Sequence, residues 1–214
     1  MVLNTKTKLF FVLAFVATMI GMAYLTLAQE DDYWKVVSGR AARIVQSLDL
    51  EDTDKDKRVQ DIIAWQYVNL SQIHDERDKE LESLKERIDL QPKDIDKASD
   101  RIRRNSDKKV KTLHKKYLKQ LSSELNPEQV NMVKDGMTYG VLGNSYQAYL
   151  DLLPDLTEKQ KSKIMEWLVE AREIAMDGGS SEEKHYWFGK YKGKINNYLS
   201  AEGYDLKKAE QMKR

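Results

Sequence analysis

The fold of this chain is decided by residues 53–88, which read TDKDKRVQDIIAWQYVNLSQIHDERDKELESLKERI. Apolar residues recur there at three- and four-residue intervals, the spacing of one helical face: Val59, Ile62, Ile63, Leu70, Ile73, Leu81, Leu84 and Ile88. Gln66 and Arg77 place polar side chains in that stripe. The pattern predicts one helix of about 35 residues, which is long for a globular protein.

A second long helix returns alongside the first. Asp89-Leu90-Gln91-Pro92 ends the first helix, because proline cannot continue a helical hydrogen-bond ladder. The next apolar stripe is Ile95, Ile102, Val110, Leu113, Tyr117, Leu121 and Leu125. Residues 54–125 are therefore expected to form a long, charged antiparallel helical hairpin. From His74 to Lys116, 25 of 43 residues are charged, so its tip is expected to project as an arm.

The rest of the chain predicts an all-α fold. Charged residues make up 33% of the chain, with only 3 Pro and 10 Gly. Helices are expected over 33–48, 127–138, 144–153, 157–176 and 180–202, with a frayed helix over 205–213. Gly140 and Gly143 are expected to form a bend, and Ser180 with Glu183 a capping box. Residues 29–214 suit a single domain.

The first 28 residues have the form of a secretory signal peptide. Lys6 and Lys8 precede an apolar run from Leu9 to Ala23, and Thr26-Leu27-Ala28 offers small residues for cleavage. Uncleaved, residues 9–28 would be long enough to anchor the chain in a membrane. Cleavage is favoured, because the sequence turns polar after Ala28. The expected location is periplasmic or secreted, with no membrane contact except through an uncleaved signal.

Three segments share the form of a capped helix start: Leu125-Asn126-Pro127-Glu128-Gln129, Leu156-Thr157-Glu158-Lys159-Gln160 and, more loosely, Leu50–Asp56. Asn126 and Thr157 are expected N-caps, and Gln129 and Gln160 stand where a side chain reaches back to the cap. The form resembles the Leu-Thr-x-x-Gln motif of Spy-type periplasmic chaperones. That resemblance implies an envelope-stress chaperone as one alternative function.

A second resemblance covers most of the mature chain. Its motifs are Arg40-Ala41-Ala42-Arg43-Ile44-Val45, Arg58-Val59-x-x-Ile62-Ile63-x-x-Gln66-Tyr67, Ile73-His74-Asp75-x-Arg77-Asp78, Phe188–Leu199 and Gly203-Tyr204-Asp205-Leu206. These resemble an uncharacterised family of secreted helical proteins of Bacteroidetes. The family is often encoded beside genes for degradation of pectin and other plant polysaccharides. The resemblance implies a setting in polysaccharide utilisation and no particular mechanism.

Residues 73–78 hold the sharpest candidate for catalysis. On a helix, His74, Arg77 and Asp78 share one face, where a carboxylate could orient an imidazole base and Arg77 could bind an acidic sugar. Gln66 and Tyr67, two turns earlier, could extend such a site. The alternative, which we favour, is a solvated face on which the charges pair with one another.

The second helix of the hairpin carries a run of cations. Eight lysines and arginines lie between Arg101 and Lys116, against the single acid Asp107. Arg101 and Arg104 are candidates for binding a polyanion such as polygalacturonate, because guanidinium forks suit carboxylates. The favoured alternative is neutralisation by the acidic helix across the hairpin.

The C-terminal helix mixes aromatic and amide side chains. Tyr186 and Trp187 lie off the apolar stripe of that helix, and Asn196 and Asn197 follow, so the four are candidates for a saccharide site. The favoured alternative is ordinary core, since the stripe residues Phe188, Tyr191, Ile195 and Tyr198 suit burial.

Several classes of function are disfavoured by composition. The chain has no cysteine, which excludes disulfides, thiol catalysis and cysteine-ligated zinc. Residues 52–56 resemble a calcium loop but lack its glycine and bidentate glutamate, so neither a metal nor a cofactor is expected. Without residues 1–28 the chain keeps 34 basic and 35 acidic residues, which gives no general attraction to nucleic acid.

The sequence thus leaves three hypotheses for function. The first is a non-catalytic accessory protein that binds an acidic or neutral plant polysaccharide. The alternatives are a Spy-like chaperone and an enzyme acting on acidic glycans. The oligomeric state is not indicated.

Overall fold

The computed structural model describes residues 32–87 and 91–212, and these form eight α-helices and no strand. The predicted all-α class is confirmed, whereas the predicted signal peptide lies outside the described residues. None of the described helices is long and apolar enough to cross a membrane. The helices are α1 (32–46), α2 (Thr53–Lys85), α3 (Pro92–Glu124), α4 (Pro127–Met137), α5 (Val141–Leu152), α6 (Glu158–Ala175), α7 (Ser181–Ala201) and α8 (Leu206–Met212).

Helices α2 and α3 form the predicted antiparallel hairpin, and each is 33 residues long. Arg58 at the start of α2 pairs with Glu124 at the end of α3 at 3.1 Å. Further along, Glu76 of α2 pairs with Lys109 of α3. Helix α1 runs antiparallel to α2 on one side, where Gln60 Nε2 donates to Ser38 Oγ at 2.9 Å.

Burial divides the hairpin into two halves. The proximal half, 53–74 with 106–124, contains every buried residue of the two helices. In the distal half, 75–87 with 91–105, no described side chain is buried. The distal half therefore extends beyond the core, as the charge density of this stretch predicts.

The first of two hydrophobic clusters joins α1 to α4 around the proximal half. Gly136 of α4 lies so close to α1 that a Cβ atom there would stand 2.8 Å from Ile44 Cγ1. Tyr117 is buried at the centre, where its hydroxyl contacts Met137 Sδ at 3.2 Å. The buried members of this cluster are Val37, Ala41, Ile44, Val45, Leu48, Val59, Ile63, Ala64, Tyr117, Leu121, Leu125, Val130, Val133, Met137 and Met176.

The second cluster joins α5 to α8 and is richer in aromatic residues. Phe188, Ile195 and Leu199 of α7 are buried in it, as the apolar stripe predicts. Trp167 packs edge-on against Tyr198 with ring centroids 5.3 Å apart. The turn between α6 and α7, residues 176–180, connects the two clusters, because Met176 belongs to the first and Ala175 to the second.

The helix starts confirm two capping predictions and correct a third. Both halves of the capping box are formed at Asn126 and at Thr157. At α7, Ser180 Oγ accepts the N–H of Glu183, but the reciprocal bond is missing. The Glu183 carboxylate instead accepts the N–H of Gly179 at 2.7 Å, in a position where it also pairs with Arg77.

The bend before α5 also differs from the prediction. Gly140 has a left-handed backbone there, with φ of 66°, and it caps a helix that starts at Val141. Gly143 lies inside α5. The glycine pair therefore does not form the bend, because Tyr139 takes the other left-handed position, with φ of 60°.

Candidate functional site

The structure places His74 in a contact between helices. His74 is 9% exposed, and its Nε2 lies 2.8 Å from the backbone carbonyl oxygen of Asp177. A carbonyl can only accept, so Nε2 carries the proton and donates it. The ring also fills the space beside Gly179, where an added Cβ would stand 2.7 Å from His74 Cγ. These contacts dock the α6–α7 turn on α2, and they leave the imidazole without a carboxylate partner.

Arg77 and Asp78 form a pair of their own. The guanidinium of Arg77 donates to both carboxylate oxygens of Asp78, at 2.8 and 3.2 Å. This pairing lowers the pKa of Asp78 and raises the pKa of Arg77. A further nitrogen of Arg77 reaches Glu183 at 3.3 Å. The arrangement matches the favoured alternative of paired charges and gives the catalytic interpretation no geometric support.

A second histidine, which the sequence did not single out, meets the same turn from α3. His114 Nδ1 lies 2.7 Å from the carboxylate of Asp177, and this contact is the main cause of the raised pKa of His114. Asp177 thus meets His74 through its carbonyl and His114 through its carboxylate. The only signal in the sequence was polarity at a helical position near the apolar stripe, which does not identify a partner 63 residues away.

Gln66 and Tyr67 lie on different faces of α2. Gln66 is 2% exposed, and its Nε2 has no hydrogen-bond partner among the described residues. Tyr67 is half-buried, and burial is the main reason that its pKa is raised to about 12. The two side chains therefore do not form one site with His74, although Tyr67 lines a cleft described below.

The candidates on α7 are spread over its surface. Tyr186 is 63% exposed and stands edge-on to Trp187, whose ring lies under the ammonium group of Lys190 at 4.9 Å. Asn196 lies on another side, where its Oδ1 accepts the hydroxyl of Tyr149 at 2.7 Å beside a shallow cleft of about 240 Å³. Asn197 is exposed. The four candidates do not converge on one pocket.

Charged and aromatic side chains are brought together in a cleft between α1, α2 and the end of α4. We name this cavity the Tyr67 cleft. It has a volume of about 320 Å³ and is lined by Arg40, Arg43, Ile44, Ser47, Tyr67, Gly136 and Tyr139. A smaller recess of about 50 Å³ continues it, with Arg40, Tyr67 and Tyr139 in common, toward the start of α7. No acidic side chain lines either cavity among the described residues.

Two arginines give the Tyr67 cleft its charge. Arg40 and Arg43 are exposed, and in the described part of the chain neither has an acidic partner. Their repeat of three residues places both on the face of α1 that flanks its buried stripe. The cleft therefore presents two guanidinium groups whose hydrogen-bond donors are available to a ligand.

The third cation of the site lies at the floor of the recess. Lys184 of α7 is buried, and its ammonium group donates to the carbonyl oxygens of Met137 at 3.0 Å and Met176 at 3.4 Å. The same group stands 5.5 Å from the centroid of the Tyr67 ring. Burial lowers the pKa of Lys184 to about 8, and the positive charge of Arg40 also lowers this pKa.

Tyr139 enters the cleft from an unfavourable backbone conformation. Helix α4 ends in a Schellman motif, in which Gly140 N–H bonds the carbonyl of Asp135 at 2.9 Å and Tyr139 N–H bonds that of Gly136. Tyr139 occupies the left-handed position of this motif, where glycine is usual. The ring is 54% exposed and stacks on His185 with centroids 6.0 Å apart. A bulky residue held in this conformation at a cleft is typical of functional sites.

The described residues contain no group of three or more acidic or histidine side chains that could hold a metal ion. The fold and the cleft define an all-helical protein with a cationic, tyrosine-lined cavity. The family described as "Protein of unknown function (DUF3826)" matches residues 34–213, and the chain belongs to that family. Among curated proteins, none matches the chain.

Proposed function

We propose that this protein is a secreted, non-catalytic accessory protein that binds an acidic saccharide in the Tyr67 cleft. The observation that carries the proposal is the presence of Arg40 and Arg43, both without an acidic partner, beside the rings of Tyr67 and Tyr139. Guanidinium forks bind carboxylates with two parallel hydrogen bonds. Aromatic rings pack against the apolar faces of a pyranose while polar groups meet its hydroxyls.

The chemistry of the lining supports binding more than catalysis. Among the described residues that line the cleft there is no carboxylate or imidazole to act as a general acid or base. Tyr67 is a weak base candidate at neutral pH, since burial raises its pKa to about 12. The Lys184 ammonium is occupied by two carbonyl oxygens.

The setting of the proposal comes from the amino-acid sequence. The signal-peptide pattern of residues 1–28 supports export, and the resemblance to secreted proteins of Bacteroidetes supports a place in pectin utilisation. An acidic saccharide derived from pectin suits both this setting and the charge of the cleft. The chaperone alternative rests on the helix-start motifs and on the charged arm of the hairpin, and capping of α4 and α6 accounts for the motifs.

Isothermal titration calorimetry with digalacturonate tests the proposal, with cellobiose as the neutral disaccharide. The wild-type protein is expected to bind digalacturonate, more tightly at low salt, and to leave cellobiose unbound. Arg40→Ala with Arg43→Ala should abolish the binding heat, because both guanidinium groups are removed. Lys207→Ala with Lys208→Ala is the matched control, since it removes two exposed cations from α8. Equal affinity in the two double variants would contradict the proposal.

A further inference from the structure

The outer face of α3 carries a continuous row of cations. Arg101, Arg104, Lys108, Lys111 and Lys115 alternate between three- and four-residue steps, so they share one side of the helix. At 1.5 Å per residue, the row covers about 21 Å of helix axis. It stands opposite the side that buries Ser106, Tyr117 and Leu121. We name these five residues the α3 row.

The α3 row is not neutralised by the rest of the hairpin. In the described part of the chain, none of its five members has an acidic partner. The ion pairs formed nearby involve other cations: Lys109 with Glu76, and Arg103 with Asp100 at 3.9 Å. Of the cations between Arg101 and Lys116, Lys109 is the one that pairs with an acid of α2 among the described residues. Like charges at these intervals repel one another.

The shape and side chains of the α3 row favour some classes of anionic partner over others. The row is exposed and has no apolar side chain, whereas helices that bind membrane surfaces insert an apolar face. No aromatic ring of α3 lies along the row to stack on the bases of a single-stranded nucleic acid. A linear polymer with a regularly repeated carboxylate fits such a row, because it can meet several cations in succession.

We infer that the α3 row is a second contact site, which binds a linear acidic polysaccharide along the outer face of α3. The identity of the polymer rests on the proposed function, since the same chemical class is assigned to the Tyr67 cleft. The cleft is large enough for a short acidic saccharide only, whereas the row requires a chain that spans about 21 Å. Chain length therefore separates the two sites.

The test compares long polygalacturonate with digalacturonate as probes for the full secreted protein. Arg101→Glu with Arg104→Glu and Lys108→Glu alters the row, and Lys159→Glu with Lys207→Glu and Lys208→Glu is the control with the same change in net charge. Circular dichroism verifies that both remain helical. The row variant should bind polygalacturonate on the order of tenfold or more weakly than the control at low salt, with a shallower salt dependence. Its affinity for digalacturonate should equal that of the control.

Equal affinity of the row variant and the control for polygalacturonate would overturn the inference. Equally tight binding of wild type to anionic phospholipid vesicles or to duplex DNA, at matched charge concentration, would overturn the assignment to a polysaccharide. Failure of the proposed function has a different signature: wild type would not bind digalacturonate. The row variant would still lose affinity for the long polymer in that case, so the two results are separable.

Discussion

The proximal and distal halves of the hairpin are built from the same two helices but are stabilised in different ways. In the proximal half, α2 and α3 bury aliphatic and aromatic side chains among α1, α4 and Met176. In the distal half, the corresponding apolar residues, such as Leu81 and Ile102, are only partly covered. The Gly178–Gly179 turn touches α2 where the two halves meet.

This difference shows that a continuous helical pattern does not imply a continuous core. Helix formation in water depends on length and on tertiary packing of the apolar face. The proximal half supplies that packing, and the distal half continues the helix as an exposed extension. Arg101 and Arg104 of the α3 row lie in the distal half. Lys108, Lys111 and Lys115 continue the row along the exposed side of the proximal half.

The largest expected effect comes from a cavity in the proximal half. Leu121→Ala removes a fully buried side chain and should lower the free energy of unfolding by about 2–5 kcal/mol. Leu84→Ala in the distal half removes a partly exposed side chain, and we expect a loss of about 1 kcal/mol or less. Urea denaturation followed by circular dichroism measures both. Equal losses would show that the division of the hairpin is wrong.

The next effect concerns the turn at the boundary of the two halves. Gly179→Ala places a Cβ atom 2.7 Å from the ring of His74, which is itself held by Asp177. Overpacking of this kind should cost about 1–3 kcal/mol in thermal denaturation. Gly189→Ala is the control, because nothing lies within 4 Å of its added Cβ. That variant should be neutral or more stable, since alanine favours the helix.

A smaller effect should depend on pH. Asp177 raises the pKa of His114, so the folded state holds the His114 proton more tightly than the unfolded chain does. The stabilisation is complete below the unfolded pKa, near about 6.5, and is lost as pH rises through the folded pKa. His114→Gln should therefore lower the free energy of unfolding more below about pH 6.5 than at high pH. A difference from wild type that is constant across pH would contradict the assignment.

The smallest effect is expected from the exposed ion pair of the hairpin. Lys109→Ala removes the partner of Glu76, and both side chains are more than half exposed. Screening by water and salt makes such pairs weak, so the urea midpoint should not change measurably. Tyr117→Phe offers a comparison within the core, because it removes only the contact with Met137. A clear loss in Lys109→Ala would mean that charge, not burial, fixes the hairpin.

The helices of this fold could be predicted from local sequence patterns, whereas the Tyr67 cleft could not. The periodicity of Val59 to Leu84 indicates α2, and Asn126 with Gln129 marks the start of α4, since both signals lie within a few residues. In the sequence, Arg40 and Arg43 stand out only as part of the Arg40–Val45 motif. Nothing local indicates that Tyr67 and Tyr139 line the same cleft as these arginines, because the arrangement depends on how three helices pack. The left-handed conformation of Tyr139 was hidden too, as glycine was expected to make that bend alone.

The conformation of Tyr139 also bears on how this family can vary. Glycine or asparagine would end α4 with less backbone strain. Variants sorted by heat resistance alone should therefore replace Tyr139 with one of these residues. Variants sorted by ligand capture should keep the aromatic ring. The two selections would favour different residues at position 139. A library screened under both would therefore reveal whether the Tyr67 cleft binds the ligand.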